Sequence, residues 1–282
     1  MAVEDDSLDL EKIFGKYRFA PEPSLDQHFL KDKKIINQIL ELLNTKEDDT
    51  IFEIGAGIGT ITKEIPKCKK VYAVELDENA FNILQQEVKH KNHIECINGD
   101  AISLIDKLKF SKIISSTPFS ICEPLIQKLF TINYEKCVIL LPKKFVDNLL
   151  QKKTKLGLFV NAFLNINIIA EVPQQAFNPV PRAKTLLLTI EKLEQDKSEK
   201  LSQDNLIIRY LYFQRDKKLK NALREILIKL FVLTKKQAKS IILRINISDA
   251  VLERNVENLN YQHYLRLVDE IKKIEAMRNK MQ

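Results

Sequence analysis

The chain lacks several features whose absence narrows its class. None of its 282 residues falls in an apolar run approaching the roughly 18–20 needed to cross a bilayer, so no membrane span is expected. The opening Met1-Ala-Val-Glu-Asp-Asp-Ser7 is acidic and has no apolar core. Neither a secretory signal nor an Arg-rich transit peptide is read from it, and a cytoplasmic protein is expected. Four cysteines (Cys68, Cys96, Cys122, Cys137) form no C-x-x-C pair, and the four histidines show no ligand spacing. Small reduced thiols and no metal site follow. Internal repeats and low-complexity tracts are missing too, and glycine and proline are absent from Asn205 to Met281.

What is present is ordinary globular composition, 45% hydrophobic and 29% charged, with a net charge of +7. The basic excess is local. Between Arg209 and Lys239 ten Lys/Arg face two acids, Asp216 and Glu225. A polyanionic partner fits that window, since each neutralised phosphate releases counterions. A solvated helical face is the plainer alternative.

Residues 1–23 read as a polar arm ending in Pro21-Glu-Pro23, and residues 32–45 carry helical periodicity. From Thr50 onward short apolar runs alternate with amphipathic segments. Strands are expected at 51–54, 71–74, 94–97, 112–115 and 136–141, with helices near 60–65, 79–90, 124–129 and 144–151. Such alternation implies βαβ units and a mainly parallel sheet. Two further strands, 165–172 and 185–191, flank the Pro-rich loop 172–182 and fit a terminal antiparallel hairpin. The expected class is therefore α/β, with a Rossmann-like domain over 24–192, a polar linker, and a small all-helical domain over 204–282.

The first strand runs into Glu53-Ile-Gly-Ala-Gly-Ile-Gly59. A strand, a glycine turn and a helix start let backbone N–H groups approach a ligand closely. The spacing is G-x-G-x-G rather than the G-x-G-x-x-G of dinucleotide binders, and an acid precedes the first glycine. Glu75 ends the second strand, where a carboxylate accepts ribose hydroxyls, and Asp100 ends the third, placed for an adenine amine. Glu75 as a helix-capping surface acid and Asp100 as a helix N-cap are the bland alternatives. Together the three point to a nucleoside cofactor, S-adenosylmethionine. A nicotinamide dehydrogenase is disfavoured by the glycine spacing.

The fourth strand ends in Ser115-Ser-Thr-Pro-Phe-Ser-Ile-Cys-Glu-Pro124. A proline followed by an aromatic at a strand's carboxyl end suits a flat base, although a core Phe after a turn Pro is the simpler reading.

Here the chain, from about residue 20 to 270, resembles the ribosomal RNA adenine dimethyltransferase family of the KsgA type. Pro23-Ser-Leu-Asp-Gln-His-Phe-Leu30 is similar to its K-x-x-G-Q-N/H-F-L opening, and Phe52–Thr62 to L-E-I-G-P-G-x-G-x-L-T. Val172–Arg182 resembles V-P-P-x-A-F-x-P-x-P-K, and Tyr212–Leu223 resembles F-x-x-R-R-K-x-L-x-N-x-L. The resemblance implies cofactor contacts at His28, Leu30, Gly55, Gly57, Glu75, Asp100, Ala101 and Ser116. It implies a catalytic loop Ser116-Thr117-Pro118-Phe119 in place of N-L-P-Y, with the target adenine stacked between Phe119 and Phe177. It also implies RNA contacts at Phe177, Arg182, Arg215, Lys217 and Lys218. The implied activity is methylation of adenine exocyclic amines near the 3′ end of small-subunit rRNA, on immature small subunits, by a monomer. Ser116 stands where the family has Asn, Asp26 where it has Gly, and Pro23 where it usually has a basic residue. A catalytically weak or inactive rRNA-binding assembly factor is the second reading, motivated by Ser116. A transcription factor derived from the same fold is a third, disfavoured by the acidic N-terminus.

Overall fold

The computed structural model describes residues 7–193 and 201–279, which divide into two compact units. One holds the chain up to Asp147 together with Leu164–Lys192. The other holds Asn148–Phe163 and the chain from Leu193 onward.

The first unit runs α1 (Leu10–Tyr17), β1 (Phe29–Leu30), α2 (Lys33–Leu43), β2 (Thr50–Ile54), β3 (Lys70–Glu75), α3 (Glu78–Val88) and β4 (Ile94–Asn98). It continues through α4 (Ala101–Leu104), β5 (Lys112–Ser116), α5 (Cys122–Leu129), β6 (Lys136–Pro142) and α6 (Lys143–Leu150). After α7 (Lys155–Phe163) come β7 (Leu164–Val172), β8 (Phe177–Asn178) and β9 (Thr185–Lys192). Among the described residues seven strands form one sheet in the order β4-β3-β2-β5-β6-β9-β7. Strands β2 to β6 are parallel, and β9 inserts antiparallel between β6 and β7. The central strands read as continuous apolar runs because both faces are covered: Ile51, Phe52 and Ile54 are each 0% exposed. Asp32 caps α2 through the Lys34 and Ile35 amides, and Asp77 caps α3 through Ala80.

Three expectations change. Residues 1–23 are not simply a polar arm, because α1 buries Leu10 and Phe14 against Phe29, Ile58, Ala80 and Ile83. The helix expected at 60–65 shrinks to a 3₁₀ turn at Thr62–Glu64, because Gly59 enters at φ +84° and Pro66 disfavours helix at Ile65. Within 24–192, residues 148–163 group with the helical unit. There α7 packs on α8 (Gln203–Tyr212), with Phe163 5.1 Å from Tyr212, and Arg209 Nε donates to the Ala162 carbonyl at 2.6 Å.

The second unit continues with α9 (Leu219–Phe231), α10 (Lys235–Ile242), α11 (Asp249–Leu252) and α12 (Tyr261–Asn279). Without glycine, α9 ends on Val232 at φ +51°, and α10 restarts from a Thr234–Gln237 capping box. No helix among the described residues is long and apolar enough to cross a membrane.

Candidate cofactor and acceptor site

From β2 the chain winds outward through β3 and β4, then returns to place β5 on the other side of β2. That reversal is a topological switch point, where open α/β sheets form their ligand crevice. A cleft of about 970 Å³, including its open mouth, lies there. It is lined by the glycine turn, by the ends of β3 and β5, by Gly99–Ala101, and by the loop 24–30.

The turn is built for close approach. Gly55, Gly57 and Gly59 all have positive φ, at +67°, +58° and +84°. A Cβ on Gly57 would stand 2.8 Å from Phe29 Cε1, and one on Gly55 would stand 3.3 Å from Pro118 Cδ. The second contact sets the turn directly against the Ser116–Phe119 loop.

The lining is acidic. Asp26, Glu53, Glu75, Asp77 and Asp100 border the cleft, and no lysine or arginine does among the described residues. Glu75 Oε2 accepts from the Gly57 amide at 2.7 Å and Oε1 from the Asp77 amide at 2.9 Å. Burial raises its pKa, and those amides pull it back. Glu75 is thus a buried brace between turn and strand rather than a surface cap. Glu53 is 2% exposed, and its Oε2 has no hydrogen-bond partner. Burial, with the Glu75 charge adding, pushes its carboxyl up to about 8. Asp100 caps α4 through the Ile102 amide and the Ser103 hydroxyl, so its N-cap role is real.

The remaining residues named from the sequence separate into groups. His28 Nδ1 donates to the Pro179 carbonyl at 2.8 Å, which fixes the ring and leaves Nε2 for other partners. Its ring centroid is 6.3 Å from that of half-buried Phe119. Leu30 and Ala101 border the cleft, although both are buried. Ser116 lines it, and its hydroxyl has no hydrogen-bond partner among the described residues. Thr117 turns inward, its Oγ1 donating to Ser115 Oγ at 2.9 Å. What Thr117 can offer a ligand is its backbone.

Phe177 corrects an expectation. It is 4% exposed, pairs with Leu30 across the β1–β8 ladder, and sits in the core with Ile36, Ile39 and Val172. No ring face is left to stack on a base. Alternation along the two-residue strand turns Phe177 inward and leaves half-buried Asn178, which reaches Glu11 at 2.8 Å. Arg182 is exposed, and Arg215 is exposed over the Tyr212 ring at 4.8 Å. Lys217 is paired with Glu225 and Lys218 with Glu253, each at 2.9 Å. Among the lining residues that escaped the sequence reading as site members, two stand out. Leu76, 61% exposed directly after Glu75, offers an apolar face, and Asp26 reaches the Ser120 amide at 3.0 Å.

A doubly wound sheet, with a glycine turn and an acidic cleft at its switch point, defines a Rossmann-like methyltransferase. The ribosomal RNA adenine dimethylase family matches residues 19–273, and the chain belongs to that family. Ribosomal RNA small subunit methyltransferase A of Clostridium acetobutylicum is 32% identical over 230 residues, covering 76% of this chain and 83% of that one. A Pyrococcus furiosus protein, "Probable ribosomal RNA small subunit methyltransferase A", is 32% identical over 224 residues, covering 76% and 81%. In fold, the chain is similar to a dimethyladenosine transferase from Plasmodium falciparum, with a TM-score of 0.59 at 22% identity over 87% of this chain and 98% of that one.

Proposed function

We propose that this chain transfers methyl groups from S-adenosylmethionine to adenine exocyclic amines of small-subunit rRNA, acting on immature small subunits. The observation that carries the reading is the cleft's charge. Five acidic side chains with no lysine or arginine suit a ligand bearing a sulfonium and an ammonium, Glu53 ionising as the cation binds, and the other four repel a dinucleotide's pyrophosphate. The unpartnered, buried Glu53 Oε2 fits the same cationic ligand. When bound, the cofactor supplies an electrophilic methyl group.

The chain's own residues supply position. Glu75 would hold the ribose end, with Leu76 beside it for the adenine, and Asp100 would serve the base from the same cleft. The Gly55–Gly59 turn lets backbone approach the amino-acid portion. On the acceptor side, half-buried Phe119 offers the target base a stacking face, worth roughly 1–3 kcal/mol. Ser116 Oγ accepts from the amine. No general base is needed before transfer, because the amine is neutral. Orientation is the main contribution, and an error near 1 Å costs about 100-fold. Exposed Arg182 and Arg215 contact RNA phosphates, whereas Lys217 and Lys218 would first have to leave Glu225 and Glu253.

The test is purified protein with methyl-labelled cofactor and immature small subunits. Label in adenosine is expected, and unlabelled rRNA would end this reading. Phe119→Ala should cut transfer by about 100-fold while cofactor affinity, measured calorimetrically, stays within about twofold. A large loss of affinity instead would place Phe119 in the cofactor pocket. The Ser116 hydroxyl, shorter than a carboxamide, favours the assembly-factor reading, which the same assay supports if rRNA is bound but left unmethylated.

A further inference from the structure

Turning an adenine amine so that its nitrogen lone pair faces a methyl donor takes acceptors for its N–H bonds. Ser116 provides one hydroxyl. Among the cleft's other side-chain acceptors the acidic groups are the strongest, and four of the five are placed for other work. Glu75 and Asp100 sit on the cofactor side of the cleft, Glu75 holding two backbone amides beside the ribose end and Asp100 capping α4 with both oxygens. Asp77 caps α3 beyond the end of β3. Glu53 lies at 2% exposure on β2, beneath the glycine turn.

Asp26 differs in each respect. It lines the cleft from the loop 24–30, and its Oδ2 accepts the Ser120 amide at 3.0 Å. That contact draws the carboxylate onto the loop that carries Ser116 and Phe119. Its Oδ1 has no hydrogen-bond partner among the described residues. The backbone sits at φ +53°, a conformation glycine takes freely and Asp tolerates better than most residues. A charged acceptor thus stands where the resembled motif has glycine, bonded to the amide four residues after Ser116.

We propose that Asp26 is a catalytic residue, its Oδ1 accepting a hydrogen bond from the target adenine's exocyclic amine alongside Ser116 Oγ. The proposal rests on the methyl-transfer reading above. With both N–H bonds held, the nitrogen lone pair forms the N–C bond to the methyl carbon. The C–S bond breaks, and its electron pair returns to sulfur. The alkylated, cationic nitrogen then passes one proton to the Asp26 carboxylate and from there to water, which leaves a neutral methylamine.

The test compares wild type, Asp26→Gly, Ser116→Asn and the double variant. It measures single-turnover methyl transfer to immature small subunits at saturating cofactor, with cofactor affinity measured separately by calorimetry. Asp26→Gly keeps the loop conformation accessible. It should slow transfer by about 100-fold while cofactor affinity stays within about threefold. Adding Ser116→Asn recreates the family pair and should recover most of the rate. Asp26→Asn, which keeps one acceptor oxygen, should retain more activity than Asp26→Gly. Wild-type rates in Asp26→Gly overturn the proposal. So does a joint loss of rate and cofactor affinity, which would make Asp26 a structural clasp of the loop. A loss that Ser116→Asn does not rescue overturns it too. Wild type that transfers nothing overturns the methyl-transfer reading itself, and the proposal with it.

Discussion

Glu53 shows how one buried side chain couples stability, charge and ligand. Its carboxyl, pushed up to about 8 mainly by burial, is protonated in the free protein at neutral pH, whereas an unfolded chain would ionise it near 4.5. The folded state therefore binds the extra proton between those values. The stabilisation is complete below about 4.5 and is lost as pH rises toward 8, at up to ~1.4 kcal/mol per pH unit. Buried Glu75, also shifted upward, contributes with the same sign. A cationic ligand reverses the preference, because it favours the ionised carboxylate. Cofactor affinity should rise by about tenfold between pH 6.5 and 8.5 in wild type and far less in Glu53→Gln. Thermal melts of the free variant should also show a shallower loss of stability with pH. Equal pH profiles for variant and wild type in calorimetry would remove Glu53 from the ligand's surroundings.

At the scale of elements, α1 is the clearest case of structure supporting a site from outside it. Phe14 contacts Phe19 and Phe29 at centroid distances of 5.7 and 5.9 Å, and the Phe29 ring closes over Gly57. Phe14→Ala should cost about 3–5 kcal/mol in denaturant unfolding, and it should weaken cofactor binding more than Phe119→Ala does. Unchanged affinity despite lost stability would separate α1 from the turn. This helix was legible in principle, since Leu10, Ile13, Phe14 and Tyr17 follow helical spacing, but only eight residues carry the pattern behind an acidic leader. The parallel strands were legible because buried strands are continuous apolar runs bounded by turns. Helix α7 was not, because Leu156, Leu158, Phe159, Val160, Ala162 and Phe163 leave it no polar face from which to read a period. The glycine turn, Glu75 and Asp100 could be brought to one cleft from the sequence because each ends or closely follows a strand. Phe177 misled because strand alternation, not motif membership, decides which way a ring faces. Asp26 was visible only as a departure, since its reach to the Ser120 amide spans 94 residues of sequence.

For the whole molecule, the question is which basic residues remain to meet RNA. The window 209–239 looked uniformly basic, yet folding partly neutralises it. Glu225 takes Lys217, and Glu253, from outside the window, takes both Lys218 and Lys220. Such surface pairs contribute little stability, but a phosphate must displace the carboxylate to use the lysine. Lys235, Lys236 and Lys239 on α10 are exposed and carry no ion pair among the described residues. Like exposed Arg215 and Lys229, they therefore keep counterions to release. Replacing these three by Ala should flatten the dependence of log affinity on log salt by about 2 for single-stranded rRNA, at roughly 0.7 per phosphate contact. Lys218→Ala should change that slope less, because its charge is already balanced by Glu253. Filter binding of an rRNA fragment across a salt series measures both slopes. If Lys218→Ala flattened the slope as much as the triple variant does, the RNA path would run over the start of α9 rather than along α10.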